Sequence, residues 1–474
     1  MNSSFDELPE LLQHLPPGFR IGVASAAWGV EGAAAVDGRT PSILDAVAAV
    51  PGRTVDGTTG AVAADHYSRY GEDVDLLAEL GVDAYRFSIS WSRVQPGGYG
   101  PASERGLDFY DRLVDRLLAA GIDPWVTVYH WDLPIEVMEA GGWLDRSTAH
   151  ALADLAGLVS RRIGDRVSHW ITMADPVLHM GYGHALGVDA PGLTLLGDAF
   201  PVSHHLLLGH GLVRQVLAQN SSAVIGIANH HTDVSPAGPF RRDRIAAALY
   251  DAYHNGQFAE PILAGRYPRL LQPLLDRHPG VIAAGDLALI SAPLDFYGVN
   301  YFHPTMAADA PDNASIPFAL TDLPGVAVTD QQWPIRPESL TAVLQALTRR
   351  YPGLPPLVVT ENGADFRDVR IPDSADGEDE FGPDSDRIAY LRGHLRAIHD
   401  ATASGVDVRG YFHRGLTDAW EGSEGFTRHF GLVGVDRETG ARHPRASFGY
   451  LQNLLAEVRD RRVRPAPGLV EQQQ

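Results

Sequence analysis

Eight short runs of β-branched and aromatic residues recur along the chain, separated by long stretches with helical patterning. The runs are RIGVASAA (20–27), AYRFSISW (84–91), PWVTVYHW (124–131), HWITMAD (169–175), VIGIANHH (224–231), LDFYGVNYF (294–302), PLVVTENG (356–363) and VRGYFHRG (408–415). Intervening segments such as FYDRLVDRLLAAG and RIAYLRGHLRAIHDA space their apolar residues as amphipathic helices do. Strand–helix alternation builds a parallel sheet, and eight units predict an α/β fold closed into one (β/α)8 TIM barrel. A doubly wound open sheet competes, but no GxGxxG follows any of these runs. The expected organisation is an N-terminal extension over 1–18, one barrel domain with long βα loops over 19–460, and a disordered tail over 461–474.

Barrel enzymes place their chemistry where strands end. The strand ends here are polar: Arg86, His130, Asp175, His230, Asn300, Glu361 and His413. Two of them are carboxylic acids, Asp175 on the fourth strand and Glu361 on the seventh. A pair of carboxylates facing each other across a pocket is what glycoside hydrolysis requires. Asp175 also precedes Pro176 and a Gly-rich, aromatic turn, so a second reading makes it only a turn former.

Composition removes other chemistries. Cys is absent, which excludes disulfides, thiolate nucleophiles and zinc–sulfur sites. Lys is absent too, which excludes Schiff-base chemistry and the P-loop lysine. A net charge of −21 argues against nucleic acid or an anionic membrane as partner. No apolar run approaches the roughly 20 residues of a membrane span. The start, MNSSFDELPELLQHLPPGF, lacks the basic-then-apolar pattern of a signal peptide. A cytoplasmic protein with a small-molecule substrate and no cofactor is expected; homo-oligomerisation stays open. Adjacent His residues in NHH (229–231) and SHH (203–205) point apart on either element, so no metal site is expected.

The motifs ASAAWGVEGA (24–33), DHYSRYGEDVDLLAELGVDAYRFSISWSR (65–93), VYHWDLP (128–134), GGWLDR (141–146), GDRVSHWITMADP (164–176), GVNYF (298–302), VVTENG (358–363) and HFGLVGVD (429–436) appear in order. In these the chain resembles the family 1 glycoside hydrolases, the β-glucosidase family, from about Phe19 to Tyr450. The resemblance implies that Glu361 is the nucleophile of a retaining mechanism. It implies Arg86 and Tyr301 as that nucleophile's partners. His130, Trp131, Trp420 and Glu421 match substrate contacts, with His230 and Asn300 as further pocket residues.

Other family positions are altered. The acid/base motif Asn-Glu-Pro reads Ala174-Asp175-Pro176. The sugar-gripping Gln is Gly29, the Trp that floors the sugar ring is Arg414, a second Trp is Gly422, and an Asn in the following helix is His205. Buried or charge-assisted hydrogen bonds are worth about 1–3 kcal/mol each, so ordinary glucose recognition should be largely lost. Asp is one methylene shorter than Glu, and misplacement of that order costs about 100-fold in rate. Arg414 has two readings, a ligand for a carboxylate or aromatic ring, or a salt bridge to Glu421 or Glu424.

Three functions follow. The first is a retaining enzyme for an unusual β-glycoside or glycosylated natural product, with Asp175 as acid/base. The second is a non-hydrolytic cyclase or isomerase of bacterial secondary metabolism that uses the same carboxylates for proton transfer. The third is a catalytically inactive binding protein. Two loops complete the reading: an acidic rim over 371–386, and a long irregular stretch over 307–325 expected to cover the pocket mouth.

Overall fold

The computed structural model describes residues 7–312, 317–368 and 384–463. Eight parallel strands close into a barrel: β1 (Arg20–Ala24), β2 (Ala84–Ser88), β3 (Asp123–Tyr129), β4 (His169–Ala174), β5 (Val224–His230), β6 (Tyr297–Asn300), β7 (Leu357–Asn362) and β8 (Val408–Arg414). Each predicted run matches one of them, with β3 beginning one residue before its run. The register of β8 on β1, from Arg20↔Gly410 to Ala24↔Arg414, closes the ring. Closure rules out the doubly wound sheet.

Helices α1 (His66–Leu80), α2 (Glu104–Ala119), α3 (Ser147–Ile163), α4 (Phe200–Asn220), α5 (Arg241–Asp251), α6 (Pro337–Arg350), α7 (Ser385–Ala403) and α8 (Ala446–Val463) surround the barrel. The sequence of α2 shows why. The Ser103 hydroxyl accepts from the Gly106 N–H and caps the first turn. Phe109, Tyr110, Leu113, Val114 and Leu117 then form one buried stripe, each side chain contributing about 1.5–3 kcal/mol of burial. No helix among the described residues is long and apolar enough to cross a membrane.

The barrel interior is filled unevenly. Trp125, Phe296 and Phe412 occupy it, beside small residues Ala24, Ala84, Ala174 and Ala228. Trp125 stacks on His169 with ring centroids 3.9 Å apart. Glycines make room for the other two rings. A Cβ on Gly22 would lie 2.4 Å from the Phe412 ring, and one on Gly226 2.5 Å from Phe296.

The edges of the barrel have structure of their own. Within 1–18, the helix Glu7–Leu12 buries Leu8 and Leu12 and packs on α7 and α8. The stretch over 307–325 is not wholly irregular, because Thr305–Asp309 pairs antiparallel with Phe318–Thr321. Backbone donors and acceptors at the barrel mouth need partners, and this ladder supplies them. Helix α8 runs on to Val463, so 461–463 of the tail expected over 461–474 are helical, while 464–474, and residues 371–383 of the acidic rim, lie outside the described residues.

Phe412→Ala should destabilise the protein by about 3–5 kcal/mol. Gly226→Ala, which drives a methyl into the Phe296 ring, should cost about 1–3 kcal/mol. Urea unfolding checks both, with the exposed Leu118→Ala expected to stay within about 0.5 kcal/mol of the parent.

Candidate active site

The C-terminal ends of β4, β7 and β8 converge on one pocket whose lining includes Asp175, Glu361 and Arg414, with His130, Trp131 and Glu421. Gly29, Phe430 and Leu178 complete much of its wall.

Glu361 is buried and meets a cation on each oxygen. The Arg86 Nη1 lies 2.9 Å from Oε2, and the Arg414 Nε lies 3.6 Å from Oε1. Arg86 is itself fixed, donating from Nε to the Thr127 hydroxyl at 3.1 Å and from Nη1 to the Thr360 carbonyl at 2.9 Å.

Asp175 follows β4 directly, with its backbone in the left-handed region at φ 47 and ψ 49. Such a conformation in a non-glycine residue costs about 1–3 kcal/mol and persists only where its surroundings enforce it. It starts a short helix at Pro176 but its side chain does not cap that helix. Instead the carboxylate turns into the pocket. There Oδ2 accepts from Asn300 Nδ2 at 2.9 Å, while Asn300 Oδ1 accepts from the Thr360 hydroxyl at 2.6 Å. Oδ1 of Asp175 has no hydrogen-bond partner within the protein. The turn and the pocket carboxylate are therefore one residue.

Burial, first, and the neighbouring Glu361 charge, second, push the Asp175 carboxyl up to about 7. The Asn300 hydrogen bond and the charges of Arg86 and Arg414 oppose that rise. His130 is driven the other way: burial, then the two guanidiniums, hold it well below the usual imidazole range, so it faces the pocket as a neutral ring.

Arg414 takes the salt-bridge reading. Its Nη2 lies 2.5 Å from Glu421 Oε2, and its guanidinium sits 4.2 Å from the Phe430 ring centroid and 5.2 Å from that of Phe302. Glu424 pairs with Arg428 instead. With Arg414 in this position the pocket encloses about 50 Å3, room for a few waters at about 10–15 Å3 each.

An aromatic wall stands beside it. Trp28 stacks on Trp131 at 5.9 Å, and Trp131 on His179 at 6.1 Å. Trp420 meets the edge of Trp28 at 6.1 Å and supports the wall from behind. His230 also stands back, hydrogen-bonded to His254 at 2.7 Å and stacked on Phe302. His231 and His204 diverge from their neighbours to Tyr297 and Asp286. His205 contacts the Trp143 carbonyl.

Tyr301 is a correction. Its hydroxyl donates to the Arg336 carbonyl at 3.3 Å, and its ring packs near His394 on α7. Successive side chains of an extended segment point to opposite sides. Tyr301 therefore faces the helices, and Phe302 faces Arg414. Thr127, Thr360, Trp28 and Phe430 were missed as site residues. The signal for Thr360 was its place beside Glu361 in VVTENG, and for Trp28 and Phe430 the aromatics inside ASAAWG and HFGLVG.

Among the described residues, one cluster elsewhere has metal-ligating residue types, Asp368, Asp418 and His429. Arg445 already bridges its two carboxylates at 2.5 and 2.6 Å, so a cationic guanidinium fills the centre.

The family model of glycosyl hydrolase family 1 matches residues 11–459. A β-glucosidase of Agrobacterium sp. (strain ATCC 21400) is 39% identical over 438 residues, covering 91% of this chain and 93% of the relative. A bifunctional β-D-glucosidase/β-D-fucosidase of Bifidobacterium breve is 40% identical over 468 residues, covering 93% and 98%. Among solved structures, the virulence factor SghA of Agrobacterium tumefaciens superposes with a TM-score of 0.90 at 38% identity, covering 95% of this chain and 99% of that one. A family 1 β-glucosidase of Thermotoga maritima gives 0.87 at 35%, covering 94% and 98%. A match along nearly the whole chain, on a barrel with carboxylates at the ends of β4 and β7, makes this protein a member of glycosyl hydrolase family 1.

Proposed function

We propose that this family 1 member is a retaining β-glycosidase in which Glu361 is the nucleophile and Asp175 the acid/base, acting on a glycoside other than a simple glucoside. One observation carries the reading. Two buried carboxylates share a pocket, and their surroundings differ: Glu361 faces Arg86 and Arg414, whereas burial lifts Asp175 to about 7. A carboxyl whose proton affinity is raised by burial suits the acid/base role, and a carboxylate ion-paired with two guanidiniums suits the nucleophile.

The chemistry follows from these positions. The Glu361 carboxylate attacks the anomeric carbon as the bond to the leaving oxygen breaks, and the Asp175 proton passes to that oxygen. Water then attacks the anomeric carbon and gives its proton to Asp175, and the bond to Glu361 breaks. Asn300 orients Asp175, and Arg86 orients Glu361. The unusual substrate is supported by Gly29, by Arg414 across the floor, and by Gly422, whose φ of 60 disfavours any side chain. Hydrolysis of simple aryl β-glucosides should accordingly be weak, and a Michaelis constant in the ordinary range with robust turnover would contradict this.

Intact-protein mass spectrometry tests the mechanism. With a turned-over substrate or a fluorinated sugar analogue, an adduct should form on Glu361, and Glu361→Gln should abolish both adduct and turnover. Asp175→Ala should slow the first step far less when the leaving group is activated, and azide should then intercept the intermediate. A substrate turned over with no adduct assigns the carboxylates to acid/base chemistry of the non-hydrolytic kind.

The pH dependence has a definite sign. Protonated Asp175 is the form that donates, so kcat/KM for a substrate with a poor leaving group should fall as pH rises through about 7. Asp175→Asn should abolish that limb. A rate that holds level to pH 9 would remove Asp175 as the acid.

A further inference from the structure

Arg414 stands over the reacting carboxylate and leaves no room for a sugar. Arg86 holds Oε2 of Glu361, and Arg414 covers Oε1, the oxygen left for attack. The pocket encloses about 50 Å3, whereas sites that take a small molecule run from about 300 Å3 upward. A bound glycoside must therefore displace something. Of the two cations, Arg414 is the one free to move, its side chain 22% exposed against 2% for Arg86. It is held by ion pairs to Glu421 and Glu361 and by flat contact with Phe430 and Phe302.

Charge decides what moves it. A neutral sugar strips the guanidinium from two carboxylates and offers only hydroxyls in return. A carboxylate offers a planar, charge-assisted partner matched to the guanidinium fork. The reaction adds a second demand. As Glu361 bonds the anomeric carbon, the leaving oxygen takes the Asp175 proton, so negative charge passes from Glu361 to Asp175. Among the described residues Arg414 pairs with Glu361 and Glu421 and with no other carboxylate. Both guanidiniums then face Glu421 alone, after an oxocarbenium-like transition state has placed further positive charge beside them. A buried charge left without a partner is costly. Glu421 can also release its share of Arg414. Burial, against the pull of Arg414, raises its carboxyl above the ordinary range, and in its protonated form it donates to an incoming oxyanion.

We infer that the substrate is an anionic glycoside whose sugar ring carries a carboxylate, as a hexuronide does, and that Arg414 leaves Glu361 to bind that group. The inference rests on the glycosidase reading above and names a substrate class for the same site. The carboxylate belongs on the sugar and not on the leaving group, because Asp175 marks the side of the leaving oxygen and Arg414 is paired away from it. A tryptophan, which the family resemblance implies at this position, offers no such partner. The overall charge of −21 repels anions, so selection for one arises locally, at Arg414.

Calorimetric titration of the whole protein with phenyl 1-thio-β-D-glucopyranosiduronic acid and with neutral phenyl 1-thio-β-D-glucopyranoside tests this without turnover. The uronide should bind about 10- to 100-fold more tightly, as one hydrogen-bonded charged contact allows. Arg414→Gln should abolish or reverse that preference, and Arg414→Lys should restore part of it. The double variant Arg414→Gln/Glu421→Gln removes both partners of the ion pair and serves where the single variant fails to fold; it too should show no preference. A 4-carboxyphenyl thioglucoside, with its carboxylate on the leaving group, should bind no better than the neutral ligand. A parent that binds neither ligand, or binds the neutral one as tightly, would overturn the proposal. A uronide preference that survives the loss of Arg414, or one matched by the 4-carboxyphenyl ligand, would also overturn it. These constants need no covalent step, so a missing adduct on Glu361 refutes the catalytic reading separately.

Discussion

One buried guanidinium holds the site in register. Arg86 rises from β2, leans on Thr127 of β3 and reaches the Thr360 carbonyl and Glu361 carboxylate of β7. Three strands of the barrel are thereby tied to one carboxylate. Removing one partner of such a buried pair typically costs about 3–5 kcal/mol, because the other is left uncompensated. The barrel below can be packed in many ways. The position of Glu361 cannot, and the rest of the pocket is organised around it.

Arg414 extends the same logic to a position where the family resemblance implies a tryptophan. Its charge is shared between Glu421 and Glu361, and its plane rests against Phe430 and Phe302. A flat ring that would support a sugar by contact is thus replaced by a flat cation that draws the pocket closed.

Much of this was legible in the chain. Eight β-rich runs and the helical spacing between them dictate the barrel, and the polar ends of those runs give Arg86, Asp175, Asn300 and Glu361 together with their shared face. The error at Tyr301 is a matter of parity: in an extended segment one residue faces the pocket and the next faces the helices, and GVNYF alone does not fix which. Trp28 and Phe430 lay inside motifs that marked the place but not the contact, and Thr127 reaches Arg86 across segments far apart in the chain, which no local pattern encodes. The side chain of Asp175, by contrast, resolves the ambiguity of its own motif. It sits at a turn, in a strained backbone conformation, and spends none of its hydrogen-bonding capacity on capping that turn.

Burial beside a second carboxylate is expected to hold the Asp175 proton in place near neutral pH. Difference infrared spectroscopy of the protonated carboxyl band, collected from pH 5 to pH 9, reads that directly. A band from a buried carboxyl should disappear with a midpoint of about 7 and be absent from Asp175→Asn. Its midpoint should move down in Glu361→Gln, where the like charge has been removed. An Asp175 band that is already gone at pH 5, or one whose midpoint is indifferent to Glu361, would contradict it.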